Sequence, residues 1–313
     1  MASLDQFGLD VGIYGPLADP ETVNSLATFA EDAGFHSIWL ADHVVFPTTF
    51  QSQYPFSADG KFPAPTSDPL LEPIAAMGVL AGLTKRVKIG TAVLIMPYRN
   101  PVLLGRMLAT IDQFSGGRVI LGAGVGWLKE EFEALDSPDF SKRGKATDEY
   151  IEIVKRLCAG GEVAFQGETY DLPPVHSVPG SVQRPHPPVL IGGVSNPALR
   201  RVVRHGDGWL AVALQPDAMT ERLAKLREIA EAEGKRFEDL EMVYKLFLAP
   251  GDPKPSPFGG REMGSGSPAQ IASDLKAALD AGFHRIVIRY RGASGAEQME
   301  QMERFVSDVA PGL

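Results

Sequence analysis

The chain has 313 residues, 44% hydrophobic and 22% charged, with a formal net charge of −9 and a single cysteine, Cys158. An acidic chain with no long basic stretch lacks the clustered Lys/Arg that displace counterions from nucleic acid, one cysteine excludes a disulfide framework, and no apolar run reaches the ~20 residues that span a bilayer. The expected setting is cytoplasmic, since Met1 to Asp10 has neither the basic flank nor the apolar stretch of a secretory signal; the expected partner is a small-molecule substrate, with no nucleic acid and no membrane.

The first strand is predicted at Leu9–Tyr14. A helix follows from Asp19-Pro20, with Val23, Leu26, Ala27 and Ala30 on one face and Gly34 closing it. The Asp-Pro pair has a physical meaning: a capping oxygen accepts from a free N–H of the first turn, and proline there gives up no hydrogen bond. The second strand, Ser37–Ala41, precedes a helix from Asp68-Pro69. The third, Val87–Leu94, precedes one from Asn100-Pro101, and the fourth, Arg118–Ala123, one over Thr147–Cys158. The fifth, Pro188–Gly192, runs into a helix from Asn196-Pro197, and the sixth, Gly208–Ala213, into one from Gln215-Pro216. The seventh, Glu241–Leu248, precedes a helix from Ser267-Pro268, where Gln270 completes a capping box. The eighth, Arg285–Tyr290, precedes a helix at Glu297–Val309. Several strands are continuously apolar, as strands buried on both faces are.

Eight strand–helix units in one chain read as an α/β fold, a (β/α)8 TIM barrel forming one domain over residues 1–313. Asp32-Ala33-Gly34-Phe35-His36 recurs as Asp280-Ala281-Gly282-Phe283-His284, each copy closing a helix and entering a strand, as equivalent joints of a ring would. The alternative is a doubly wound open sheet, which would carry a glycine fingerprint after its first strand, where Tyr14-Gly15-Pro16-Leu17 stands. Three connections exceed ordinary barrel loops. Those at 42–67 (with Phe46, Tyr54, Phe56 and Phe62) and 249–267 leave the C-terminal ends of strands, where barrels keep their active sites, and are expected to be lids. The one at 161–187 enters the fifth strand and is expected to form a small hairpin flap.

Of six histidines only His43 directly follows a strand, in Leu40-Ala41-Asp42-His43; His36 and His284 precede strands and fall on the opposite face. No His/carboxylate set with metal-ligand spacing stands at the strand ends, so no metal site is expected. Asp42-His43 reads either as a proton-handling pair or as a capped strand end. Gly192-Gly193-Val194-Ser195 opens a helix. There bare N–H groups attract phosphate, although tight strand–helix packing also asks for glycine. Gly122-Ala123-Gly124-Val125-Gly126-Trp127 lacks the context of a dinucleotide fingerprint and fits a strand mouth against which a flat ring lies. Trp127 and Trp209 are pocket walls or core. Arg200, Arg201 and Arg204 bind an acidic cofactor tail or form a solvated helix face, the latter preferred; Cys158 reads as a small buried apolar residue.

Phe29-Ala30-Glu31-Asp32-Ala33-Gly34-Phe35 followed by Ile38-Trp39-Leu40-Ala41-Asp42-His43 resembles the opening of the bacterial luciferase-like oxidoreductases. So do Ile89-Gly90-Thr91-Ala92-Val93-Leu94, Leu108 to Arg118, Leu121 to Trp127, Arg143-Gly144, Ile191-Gly192-Gly193 and Gly206-Asp207-Gly208-Trp209. The segment from Tyr54 to Pro63 resembles the subgroup that uses the deazaflavin coenzyme F420. The resemblance implies a ring held at the barrel mouth near Asp42, His43, Ala92, Val93 and Gly124, with a phosphate on Gly192, Gly193, Val194 and Ser195. It also implies a cis peptide at Ala92-Val93 and a substrate pocket including Trp127, Trp209 and Phe46. The F420-dependent sugar-phosphate dehydrogenases of this family carry a catalytic acid where Trp127 stands, which favours an apolar or aromatic substrate here. The implied function is hydride transfer between F420 and a small organic molecule, with His43 and Asp42 catalytic, in a homodimer. The alternatives are an FMN-dependent monooxygenase served by a separate flavin or F420 reductase, and a non-catalytic flavin-binding barrel.

Overall fold

The computed structural model describes residues 4–55, 57, 59–62, 65–256, 260–290 and 294–313; Phe56, Ala58 and Pro63 of the expected lid lie outside them. Its strands are β1 (Phe7–Asp10), β2 (Ser37–Leu40), β3 (Lys88–Thr91), β4 (Leu94–Ile95), β5 (Val119–Gly124), β6 (Gly161–Gln166), β7 (Asp171–Ser177), β8 (Val189–Gly192), β9 (Gly208–Val212), β10 (Glu241–Pro250), β11 (Ser265–Gly266) and β12 (Arg285–Tyr290). The α-helices are α1 (Pro20–Ala33), α2 (Pro73–Leu83), α3 (Pro101–Ser115), α4 (Lys129–Ala134), α5 (Arg143–Ala159), α6 (Asn196–His205), α7 (Pro216–Ala232), α8 (Pro268–Ala281) and α9 (Gly295–Arg304).

Eight strands pair in parallel in the order β10-β12-β1-β2-β3-β5-β8-β9, and a further β9–β10 pairing closes the ring. The expected (β/α)8 barrel is therefore present. Parallel neighbours need crossovers, and the helices supply them while covering the outer faces of the strands. Side chains alternate in and out along each strand. Trp39, Ile120, Leu190, Leu210, Val243 and Val287 form the barrel's interior layer, and their outward neighbours join the larger core beneath the helices. Trp39 fills the lower half of that interior. Glycine at Gly8 and Gly90 on the two flanking strands makes this possible, because a Cβ on Gly90 would meet the indole at 2.5 Å.

Several expected elements shift, each for a local reason. β1 ends at Asp10 because the Asp10 carboxylate accepts from Gly12 N (3.0 Å), which adopts φ +68°. Asp68-Pro69 caps no helix. Residues 69–71 run beside the continuation of β1 instead, with Gly15 N donating to Pro69 O and Leu71 N to Ile13 O, and α2 starts four residues later, capped by Glu72. Ser195, one residue before the expected cap, accepts from Ala198 N and caps α6. The third predicted strand is split into β3 and β4, α5 begins at Arg143, and α4 has no counterpart in the sequence reading. α9 stops at Arg304 and passes into a π turn over Phe305–Val309. The third long connection forms the hairpin β6–β7, as expected.

Candidate active site

The floor of the barrel mouth is made where β3 breaks. The Ala92–Val93 peptide is cis. Ala92 N donates to Leu40 O (2.7 Å), three residues before His43, which ties the break to the end of β2. The Thr91 hydroxyl bridges to Gly122 N (3.1 Å) and Gly122 O (2.9 Å), filling the gap in the ladder with β5. Val93 then turns inward between two glycines: a Cβ on Gly124 would meet Val93 at 2.5 Å, and one on Gly192 at 2.6 Å. Gly122, Gly124 and Gly192 thus make room for the broken strand, and half-buried Val93 is the apolar plug on which a flat group can rest.

His43 stands beside this floor. Its Nδ1 lies 2.7 Å from the Glu131 Oε2, and Glu131 Oε1 accepts from Val44 N (2.7 Å) and Val45 N (3.2 Å). Glu131 is fully buried, whereas the His43 side chain keeps 13% of its surface exposed. A carboxylate only accepts, so Nδ1 carries a proton toward Glu131, and Nε2 has no partner among the described residues. The neighbouring Glu130 Oε1 accepts from Gln51 N (2.6 Å) and Ser52 N (3.2 Å). The two acids of α4 therefore pin the first long connection at two places. With Tyr14 and Trp127, that connection builds a contiguous shelf of half-buried rings: Phe46 on His43 (4.3 Å between centroids), Tyr14 on Phe46 (5.1 Å), and Phe62 stacked on Trp127 (5.8 Å). Glu131 is the residue that sequence reasoning missed. The signal available was an acidic pair directly after the glycine-rich end of a barrel strand.

The other rim is the turn from β8 into α6. The Gly193 carbonyl accepts from the Trp209 indole N–H (2.7 Å). In a trans peptide the C=O and the following N–H point opposite ways, so the Val194 N–H is directed away from that wall. Neither Val194 N nor Ser195 N donates to a described residue. These amides sit ahead of the helix terminus, where the backbone dipoles favour negative charge.

Three sequence-predicted residues do other work. Asp42 is fully buried and forked onto Arg99 (Nη1 to Oδ2 and Nη2 to Oδ1, both 2.8 Å), with Ile95 N donating to Oδ2 (2.7 Å). Burial pushes its carboxyl up while Arg99 pulls it back, and Arg99 is also held by Glu72. Asp42 thus locks β4 to the end of β2 and offers no free oxygen to the mouth. Trp209, expected as a pocket wall or core, is fully buried in the layer beneath the helices, 5.8 Å from the Phe283 ring; it is core. Arg201, expected on a solvated face, is buried and bonded to Asp148 and to Gly144 O. Arg200 and Arg204 are exposed. Burial raises the Cys158 thiol to about 11. No group of three or more His, Cys, Asp or Glu side chains with metal-binding geometry occurs among the described residues.

The luciferase-like monooxygenase family model matches residues 1–254. The chain belongs to that family. Among relatives of this luciferase-like protein, an uncharacterized protein of Mycobacterium tuberculosis is 35% identical over 67% of this chain and 72% of its own. An F420-dependent glucose-6-phosphate dehydrogenase of Amycolatopsis mediterranei is 27% identical over 100% of this chain and 97% of its own. Among solved structures, an F420-dependent secondary alcohol dehydrogenase in complex with an F420-acetone adduct shares the fold with a TM-score of 0.79 at 19% identity, covering 100% of this chain and 99% of its own.

A ring cofactor with an anionic tail fits the residues present. Val93 gives an apolar surface between Gly124 and Gly192 on the flanking strands, and the bare amides at Val194 and Ser195 give an anion anchor on the adjoining rim. His43 brings an unpaired ring nitrogen to the same mouth.

Proposed function

We propose that this luciferase-like protein is an oxidoreductase that transfers a hydride between coenzyme F420 and a small organic substrate. One observation carries the reading: an imidazole backed by a buried carboxylate shares a barrel mouth with a bare apolar floor and a turn of unpaired amides. When bound, the deazaflavin ring supplies the two-electron chemistry. The chain's own residues bind, orient and move a proton. Val93 would support the ring, and Gly193, Val194 and Ser195 would hold its phosphate, with Gly192 and Gly124 giving Val93 its place. His43 Nε2 takes or gives the proton that accompanies hydride transfer, and Glu131 fixes its tautomer and offsets the charge that develops. Asp42 acts by position, holding the β2 end against β4. Phe46 and Trp127 would wall the substrate pocket.

Titration of the purified protein with F420 and with FMN, followed by fluorescence, tests this. F420 is expected to bind at least about tenfold more tightly. Preferential FMN binding, with oxygen consumption that needs an added flavin reductase, would establish the monooxygenase reading instead. Binding of neither would leave a barrel without redox chemistry.

The outer faces of α2 and α3 expose Val79 (58%), Leu103 (55%) and Phe114 (80%), together with Leu83 and Met107. A contiguous apolar face of this kind marks an association surface, and we propose that it joins two copies into a homodimer. A cavity of about 520 Å³ lies in this face, lined by Glu72, Arg99, Leu103 and Met107. No helix among the described residues is long and apolar enough to cross a membrane.

A further inference from the structure

The proton path and the apolar interior leave three charged side chains in the barrel floor unused: Asp10 on β1, Lys245 on β10 and Arg289 on β12. Each points inward, in the layer above Val243 and Val287. The upper layer is thereby divided. The β3, β5 and β8 side is built from Ala92, Val93, Gly122, Gly124 and Gly192, while the β10, β12 and β1 side is charged. Lys245, buried, has its Nζ 2.6 Å from Asp10 Oδ2 and donates to Ala92 O (3.1 Å), the carbonyl of the broken strand. Burial opposes the charge on both partners, but Lys245 and Arg289 hold the Asp10 carboxyl below its ordinary range.

The Asp10–Lys245 pair is internally neutral, so Arg289 is an unbalanced cation. Its Nη1 stands 3.3 and 3.5 Å from the Asp10 oxygens, longer than the roughly 2.7–2.9 Å of a charge-assisted hydrogen bond, and no other described residue accepts from its guanidinium. The side chain is 17% exposed. Its Nε and Nη2 have no acceptor among the described residues, and largely buried donors left so are costly unless a ligand or solvent completes them. Nη2 lies 3.4 Å from the place a Cβ on Gly12 would take, two residues before Tyr14. The Nη2 edge of the guanidinium therefore lies beside Gly12, on the segment that leads to Tyr14, where the aromatic shelf through Phe46 to His43 begins.

We propose that Arg289 is a substrate-recognition residue, docking a single carboxylate on a substrate whose apolar or aromatic body rests on Tyr14 and Phe46. A planar guanidinium fork matches a planar carboxylate. One unbalanced positive charge suits one negative charge, and the Asp10 carboxylate beneath it disfavours a dianion such as phosphate. This rests on the reading of the mouth as a redox site, and names the class of molecule brought to it.

The test uses the F420-loaded protein, with benzoate as probe and benzamide as its neutral counterpart, in calorimetric titration. Benzoate is expected to bind at least about tenfold more tightly than benzamide. Arg289→Gln should abolish that preference, Arg289→Lys should retain part of it, and F420 affinity should stay within about threefold in both. Equal binding of the two probes, or a preference that survives Arg289→Gln, overturns the proposal. Loss of F420 affinity in Arg289→Gln with the benzoate preference intact overturns it too, by giving the guanidinium to the coenzyme. If Arg289→Gln does not fold, the wild-type comparison and Arg289→Lys decide. If the protein binds no F420, the functional reading fails by itself, and the same probes on the unloaded protein still decide the role of Arg289.

Discussion

The Nδ1 of His43 and the Oε2 of Glu131 stand 2.7 Å apart, although 88 residues separate them in the chain. The other Glu131 oxygen holds the backbone of Val44 and Val45, so one carboxylate sets both the ring tautomer and the path of the loop leaving β2. Glu131→Gln keeps the shape and a hydrogen-bonding side chain but removes the charge. Its kcat is expected to fall by roughly ten- to a hundredfold with F420 affinity unchanged. His43→Ala should cost about a hundredfold or more in kcat, again with little change in binding. Steady-state kinetics beside a fluorescence titration separates the two effects, and a His43→Ala variant as fast as wild type would remove His43 from the mechanism.

Gly193 sets the anchoring turn. It adopts φ +108°, and a Cβ there would stand 3.1 Å from the Ala198 Cβ. Gly193→Ala must therefore rotate the peptide whose carbonyl is held by Trp209, turning the Val194 N–H with it. Coenzyme binding should weaken by about tenfold, at a stability cost of about 1–2 kcal/mol. Binding that stays at the wild-type level in a folded Gly193→Ala variant would remove this turn from the site.

His36 lies at the opposite end of the barrel with a buried Nδ1 that finds no partner. Burial, helped by Arg285 and Lys88, lowers its pKa to about 4 from 6.5. The unfolded chain then binds the proton more readily between these values, so the native state loses stability as pH falls from 6.5 toward 4. The loss is bounded at about 3 kcal/mol. Urea melts across that range should show wild type weakening more steeply than His36→Phe; parallel pH profiles would refute the assignment.

Phe114 is 80% exposed on α3. Phe114→Glu combined with Leu103→Glu places charge at both ends of the apolar face of α3 and is expected to convert a dimer to a monomer in light scattering. A wild-type protein that is monomeric at micromolar concentration would dispose of the homodimer.

The ring of eight strands and their helices was legible because its determinants are local. Continuous apolar runs, Pro after a capping residue, and glycine at helix ends each act within a few positions. The helix caps at Asp19, Asn100 and Ser267 form as their spacing predicts. Asp68-Pro69 shows the limit of such local signals, since pairing with the continuation of β1 outcompetes the cap.

His43 could be singled out from the sequence because it directly follows a strand. Its partner could not, because Glu131 reaches it only after the units of β2, β3 and β5 have been laid side by side. The direction of Trp209 was closed to sequence reading for another reason: alternation along β9 says that Trp209 and Leu210 face opposite ways, but only the closed ring decides which of them is inside. The contact of Lys245 with the Ala92 carbonyl spans 153 residues and crosses the barrel interior. Short-range preferences of backbone and side chain are enough to set the architecture; which charges meet depends on strand register and on the inward or outward sense of each side chain, and both exist only once the sheet has closed.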